Sequence, residues 1–277
     1  MKTILVPSDF SACAANATDV AVNLAQRFGA TLHLYTRIDL PRNWESFTEA
    51  EKEKHPEALQ NIRNVGVLMK DLQNQNPTVA IETAYSGGNL TENINEYVKK
   101  HGVDFVVMGS HGKSGKNEFF MGSNTQRAVR MVHCPVLVIK DKLKRTDFKK
   151  VVYPSAFNSN DKEAFLKFKD FIKHFIPEIH LVAIQTSSLF DAPLIVQQSA
   201  MEDFRKLAEP FDCKTHILRD FSIDKGVRFF ADEIGADLIA VSNHHRHPVK
   251  RIFTGSNVEA LVNHSEIPVL SIDFEEG

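Results

Sequence analysis

The chain has 277 residues, of which 43% are hydrophobic and 25% charged, with a formal net charge of -2. That length is too great for one small α/β unit and suits two domains of ordinary size, each able to bury a core. The near-neutral balance leaves no electrostatic footprint for nucleic acid. No apolar stretch reaches the roughly 18 residues that a membrane span needs, and no long apolar leader precedes the first strand-like run. Cys13, Cys134 and Cys213 lie far apart, without metal or redox spacing. Buried thiols in a cytoplasmic protein are therefore expected, with neither nucleic acid nor membrane as partner.

Thr3 to Val6 reads as a short buried strand ended by Pro7. Ser8 or Ser11 can cap the helix that follows, whose apolar face runs through Ala14, Val20, Ala21, Leu24 and Ala25 before Gly29 stops it. Thr31 to Ile38 is a second strand. Phe47 to Gln73 is helical in spacing, with Pro56 and Gly66 expected to interrupt or kink it. Val79 to Tyr85 is a third strand, followed by a helix through Leu90, Ile94 and Val98 that ends at His101-Gly102. A fourth strand, Phe105 to Met108, breaks into a glycine-rich loop, then a helix from Thr125 to Val132 and a last strand, Pro135 to Ile139. Alternating strands and helices predict an open parallel sheet with helices on both faces.

The order then repeats. Val6-Pro7-Ser8-Asp9-Phe10 aligns with Tyr153-Pro154-Ser155-Ala156-Phe157 at an offset of 147 (154 − 7), and Leu32-His33-Leu34 with Ile179-His180-Leu181 at the same offset. Gly122-Ser123-Asn124 aligns with Gly255-Ser256-Asn257 at an offset of 133 (255 − 122), as does Pro135-Val136-Leu137 with Pro268-Val269-Leu270. This is a tandem duplication. The expected domains are 1–143 and 148–277, joined by a solvated linker from Asp141 to Phe148.

The loop after the fourth strand carries the chemistry. Met108-Gly109-Ser110-His111-Gly112-Lys113 leads on to Gly122-Ser123-Asn124, in the pattern Gly-x2-Gly-x9-Gly-Ser. Strand, glycine loop and helix N-terminus are the recipe for holding a phosphate: backbone N–H groups can approach the anion and the helix dipole favours it. Ser123 is placed to cap the helix. The pattern is neither a Walker A loop nor G-x-G-x-x-G. In a sheet ordered 3-2-1-4-5 the first and fourth strands are neighbours, so Asp9 and the loop face one crevice. In the second copy Asp9 becomes Ala156, Gly109 becomes Ser242 and Gly112 becomes His245, so only the first half keeps a complete site. A cap and turn at the head of the last helix account for Gly255 and Ser256 without a ligand.

The loop pattern, together with Ile4-Leu5-Val6-Pro7-Ser8-Asp9-Phe10-Ser11 at the front, resembles the ATP-binding branch of the universal stress protein family. The resemblance covers nearly the whole chain. It implies two tandem open parallel five-stranded α/β sheets, order 3-2-1-4-5, associated as a pseudo-dimer through the last strand of each half. Single-domain relatives use that strand to form homodimers, and a homodimer of this two-domain chain is a further expectation. The resemblance also implies that Pro7, Ser8 and Asp9 border the adenine of ATP, with ADP, AMP and Mg²⁺ as variants of the ligand. Arg37, at the end of the second strand, would lie against the base. Gly109, Gly112, Gly122, Ser123 and Asn124 would surround ribose and phosphates.

Several residues keep a second reading. Asp9 can cap the first helix. Gly109 and Gly112 can be turn glycines. Arg37 can stack on a base, reach a phosphate or point to solvent. Lys113 can contact phosphate or stand solvated in the loop. His111 can donate to a phosphate, but no acid partner near it in the sequence supports catalysis. His244, His245 and His247 lack the carboxylate or thiolate partners of a metal motif. The expected function is an ATP-binding regulatory protein of the stress response. A slow ATPase, an adenylate-using enzyme or a scaffold with a vestigial site are the alternatives.

Overall fold

A computed structural model describes residues 1–112, 122–186, 193–244 and 251–274. The first half contains β1 (Thr3–Pro7), α1 (Ala12–Phe28), β2 (Thr31–Arg37), α2 (Glu49–Lys52), α3 (Pro56–Gln75), β3 (Ile81–Ser86), α4 (Leu90–His101), β4 (Phe105–Gly109), α5 (Ser123–Met131) and β5 (Val136–Ile139). The second contains β6 (Lys150–Pro154), α6 (Asp161–Ile172), β7 (Glu178–Gln185), α7 (Leu194–Leu207), β8 (Asp212–Arg219), α8 (Ile223–Ile234), β9 (Leu238–His244), α9 (Arg251–His264) and β10 (Val269–Phe274).

All ten strands belong to one sheet, in the order β3-β2-β1-β4-β5-β10-β9-β6-β7-β8. Each half is parallel and has the expected 3-2-1-4-5 order. The halves join edge to edge, β10 antiparallel to β5, with Val269 opposite Val138, Leu270 opposite Leu137 and Ser271 opposite Val136. Leu137 and Leu270 are equivalent positions in the two copies, so a pseudo-two-fold axis passes between them. Joining in this way satisfies two apolar edges that would otherwise invite aggregation.

The strands alternate between two cores. Ile4, Val6, Phe105, Val107, Leu137 and Ile139 face α1, α3, α6 and α7. Leu5, Val106, Met108, Val136 and Val138 face α4, α5, α8 and α9. Because both sides are covered, the strands read as continuous apolar runs. On the first face aromatic rings cross the seam: Phe171 packs edge-on against Phe28 and Phe105 of the first half, with ring centroids 6.1 and 5.5 Å apart.

The caps explain the helix ends. Ser11 accepts from the Ala14 N–H and starts α1, and Gly29 and Gly102 close α1 and α4 in the left-handed conformation that glycine adopts without strain. Three expectations need correction. Gly66 lies inside an unbroken α3, whereas Pro56 does interrupt the Phe47–Gln73 stretch as expected: α2 stops at Lys52 and Pro56 opens α3 at its first turn, where its missing N–H costs nothing. Gly122, not Ser123, is the N-cap of α5, which spans Ser123–Met131. Gly255 and Ser256 fall inside α9, which begins at Arg251 and not at a turn there.

The connection from Asp141 to Phe148 is also no plain solvated linker. Phe148 is buried against Phe171 and Phe175, and Arg145 pairs with Asp237 at 2.7 Å. The other Asp237 oxygen accepts from the Lys149 and Lys150 N–H groups, pinning the start of β6. Cys13 and Cys134 are buried as expected, and Cys213 is partly buried. Burial pushes the Cys134 and Cys213 thiols up to about 12. Among the described residues no helix is long and apolar enough to cross a membrane.

Candidate nucleotide site at the carboxyl ends of β1 and β4

The connections after β1 and β4 run to opposite faces of the sheet, and the crevice between them is where open α/β sheets accept ligands. Pro7 and Ser8 end β1, with the Ser8 N–H donating to the Tyr35 carbonyl at 2.8 Å. Thr36 Oγ1 donates to the Ser8 carbonyl at 2.6 Å, fixing the next peptide. Phe10 then turns with φ of 57°, and its N–H donates to Ser8 Oγ. The turn leaves Asp9 exposed on the rim, where one carboxylate oxygen accepts from the Ser11 N–H at 3.0 Å. Since Ser11 caps α1, Asp9 is not the capping residue.

The glycine loop meets that rim. A Cβ on Gly112 would overlap Asp9 Oδ2, so the carboxylate and the Gly112 backbone lie against each other. The Gly122 N–H donates to the Ser110 carbonyl at 2.8 Å, which closes the neck of the loop. A Cβ on Gly122 would come within 3.3 Å of His111 Cα, inside that neck. Thr125 Oγ1 donates to the Gly109 carbonyl at 2.8 Å and ties the first turn of α5 to the end of β4. Among the described residues no side chain caps α5, and Ser123 and Asn124 are exposed in its first turn. Free N–H groups and the positive end of the helix dipole therefore face outward at this point.

Gly109 has a different reason to be glycine. A Cβ there would lie 2.9 Å from Cys13 Sγ and 3.0 Å from the Cys13 carbonyl carbon. The residue is small because α1 passes over it. In the second copy α6 begins at Asp161, whereas the equivalent of Ala12 is Ser159. The later start accompanies the change to Ser242. A buried network stands there: Asp161 Oδ2 accepts from Ser155 Oγ at 2.7 Å and from the Asn158 N–H at 3.2 Å. Burial, with the nearby Asp161 carboxylate, raises the Tyr153 hydroxyl well above its usual value.

The other expected residues are distributed as follows. Arg37 is exposed at the end of β2, one strand from Asp9 on the same edge of the sheet, opposite Ser86 of β3. The Met108 side chain is buried in the core, so only its main chain belongs to the strand end. His111 Nδ1 is 3.0 Å from Ser110 Oγ. Asp141, after β5, is raised by burial and by the Glu266 carboxyl, while Lys140 and His111 pull it down. That places an acid near His111 which lies 30 positions away in the sequence, beyond any local motif. Lys113, His245 and His247 lie outside the described residues, and no group of three metal-binding side chains occurs among the described ones. Thr36, Thr125 and Cys13, which shape the crevice from behind, carry no sequence signal beyond being small or polar near a strand end.

Comparison with known proteins agrees with this architecture. The model of the universal stress protein family matches residues 1–140 and again 147–272. A universal stress protein of Methanocaldococcus jannaschii, MJ0531, is 31% identical over 147 residues, covering 50% of this chain and 82% of its own. Bacillus subtilis YxiE, another universal stress protein, is 29% identical over 149 residues, covering 50% of this chain and 97% of its own. A crystal structure of a universal stress protein from Archaeoglobus fulgidus covers 98% of both chains with a TM-score of 0.73 at 17% identity, a likeness of fold. The chain belongs to the universal stress protein family and carries two copies of its domain in tandem.

Proposed function

We propose that the first half binds an adenine nucleotide, ATP foremost, and that the protein acts in the stress response as a nucleotide-dependent regulator. The observation that carries the reading is the meeting of Asp9 with the Gly112 backbone beside the uncapped start of α5. Backbone N–H groups at Gly112, Ser123 and Asn124 suit phosphate oxygens, and glycine at 112 and 122 lets the loop backbone lie against Asp9 and close on itself beside them. Asp9 supplies an acceptor on the rim, suited to the donor edge of a base or to a ribose hydroxyl. Arg37, with no carboxylate within ion-pair distance among the described residues, suits stacking on the base or pairing with a phosphate. The second half lacks the aspartate and both loop glycines, which supports one nucleotide per chain.

Native mass spectrometry of the full chain with ATP tests this directly. One nucleotide per chain is expected, lost in Gly122→Val and in Asp9→Ala and retained when Ser242 is changed. Two nucleotides per chain, or binding that survives both first-half substitutions, would refute it. Thermal melting gives a second readout, since a ligand at about 100 times its dissociation constant stabilises by about 2.7 kcal/mol.

A further inference from the structure

The helix that begins at the candidate site is fastened to the other half of the molecule. Arg130, in the last turn of α5, forms a two-pronged pair with Glu259 of α9, its Nη2 donating at 2.6 Å. Gln126 Nε2 donates to the same carboxylate at 2.8 Å. Asn243 Nδ2, buried near the end of β9, donates to the Val129 carbonyl at 2.5 Å. Asn243 is the counterpart of Ser110 (243 − 133), so the second copy's degenerate crevice reaches across the seam to the helix of the intact one. The Glu259 carboxylate has only 15% of its side-chain surface exposed, which limits solvent screening of the pair. At its other end α5 holds the Gly109 carbonyl through Thr125, and no described side chain caps its first N–H groups.

We propose that α5 transmits nucleotide occupancy from the first half to β9 and α9 of the second, through Glu259 and Asn243. The inference rests on the nucleotide reading above. A phosphate bound at the start of α5 would draw the helix toward the loop. Every such displacement acts on three hydrogen-bonded contacts that end in the second half. α9 in turn packs on α8, with Val258, Leu261 and Val262 sharing one core with Val227, Phe230 and Ala231. The second copy thus reads the site it no longer duplicates. By linkage, a ligand of α9 whose affinity depends on nucleotide must change nucleotide affinity by the same factor.

Hydrogen exchange followed by mass spectrometry on the full chain, with and without saturating ATP, tests the coupling, with titration calorimetry for affinity. In the wild type ATP should slow exchange in residues 238–244 and 257–264, outside the half that binds it. In Arg130→Gln and in Glu259→Gln that slowing should be lost and the dissociation constant raised about five-fold, the low end of ordinary coupling. The double variant should be no weaker than Glu259→Gln alone, because that change already removes the Arg130 pair. ATP binding with slowing confined to the first half overturns this inference and leaves the nucleotide reading intact. Lower melting temperatures in the variants with unchanged affinity and exchange overturn it too, reducing the contacts to a structural bolt. No ATP binding in the wild type overturns both.

Discussion

Gly109→Ala separates a glycine kept for packing from one kept for a ligand. The new Cβ would lie 2.9 Å from Cys13 Sγ, 3.0 Å from its carbonyl carbon and 3.1 Å from its carbonyl oxygen. The thiol could turn, but two of the three atoms are backbone in the first turn of α1. That turn is already fixed by the Ser11–Ala14 cap and by the Cys13 contacts to the Ile139 and Lys140 carbonyls. Relief therefore requires α1 to lift from β4, and overpacking of this kind costs about 2 kcal/mol. For a chain of this size that lowers the melting midpoint by about 4–8 °C. Circular dichroism melting of the nucleotide-free protein should show the drop, whereas Ser242→Gly, where α6 starts two residues later, should not raise stability. A Gly109→Ala protein that melts like the wild type but loses ATP affinity ten-fold would refute the reasoning and return this glycine to the ligand.

Gly112 and Asp9 should behave oppositely. The atoms nearest a Gly112→Ala methyl all belong to the Asp9 carboxylate, the far end of a side chain rather than backbone, so the expected stability cost is below about 1 kcal/mol; ATP affinity should fall, and a Gly112→Ala change added to Asp9→Ala should cause no further clash-related loss, as a double-mutant cycle by calorimetry would show. Ile176 adopts φ of 51° at 83% exposure, where its counterpart Gly29 has φ of 63°; because this conformation costs an L-residue about 1–2 kcal/mol, Ile176→Asn should raise the melting midpoint, and a fall would refute strain there. His180 Nδ1 and His216 Nε2 are 3.0 Å apart. Burial lowers both, His216 and the Lys214 and Lys150 charges add to the effect on His180, and Glu178 opposes it. With folded values below the unfolded value of about 6.5, their stabilising contribution is complete above that pH and is lost as the pH falls through the folded values. Melting from pH 7.5 to pH 5.5 should show this decline, and His216→Phe should flatten it; an equal slope in the variant would refute the assignment.

Much of the architecture was legible because it depends on local or repeated signals. Two offsets, 147 and 133, expose the duplication, and the glycines at 29 and 102 mark helix ends where the left-handed cap is found. The parallel sheet follows from the alternation of elements, its 3-2-1-4-5 order from the family resemblance, and the apolar edges from the composition of Pro135 to Ile139. Of the candidate site, the topology places Asp9 and Gly112 at one crevice, and these two residues do meet. What could not be read depends on partners distant in sequence. The smallness of Gly109 is set by Cys13, 96 positions earlier. The linker is ordered by Asp237 and by the aromatic cluster around Phe171, neither of which a charged stretch reveals. Ser123 has the chemistry of a cap, but Gly122, extended and bonded through its N–H to the Ser110 carbonyl, takes the N-cap position. Gly255 lies within α9 although glycine is a poor helix former, so its likeness to Gly122 in sequence does not extend to a helix start.

The contact at the pseudo-axis has a consequence for how such a molecule can change. Gln126 and Glu259 are counterparts (259 − 133), and each lies against the other. In a true homodimer every residue on the axis faces its own copy, so an acidic side chain there would confront an identical charge. Covalent fusion lifts that restriction. One copy can mutate to acid while the other keeps its amide and its arginine, and the tether holds the two surfaces together at any dilution. Divergence of this kind is closed to a gene that must present the same face twice, and it lets one half specialise without compromising its neighbour.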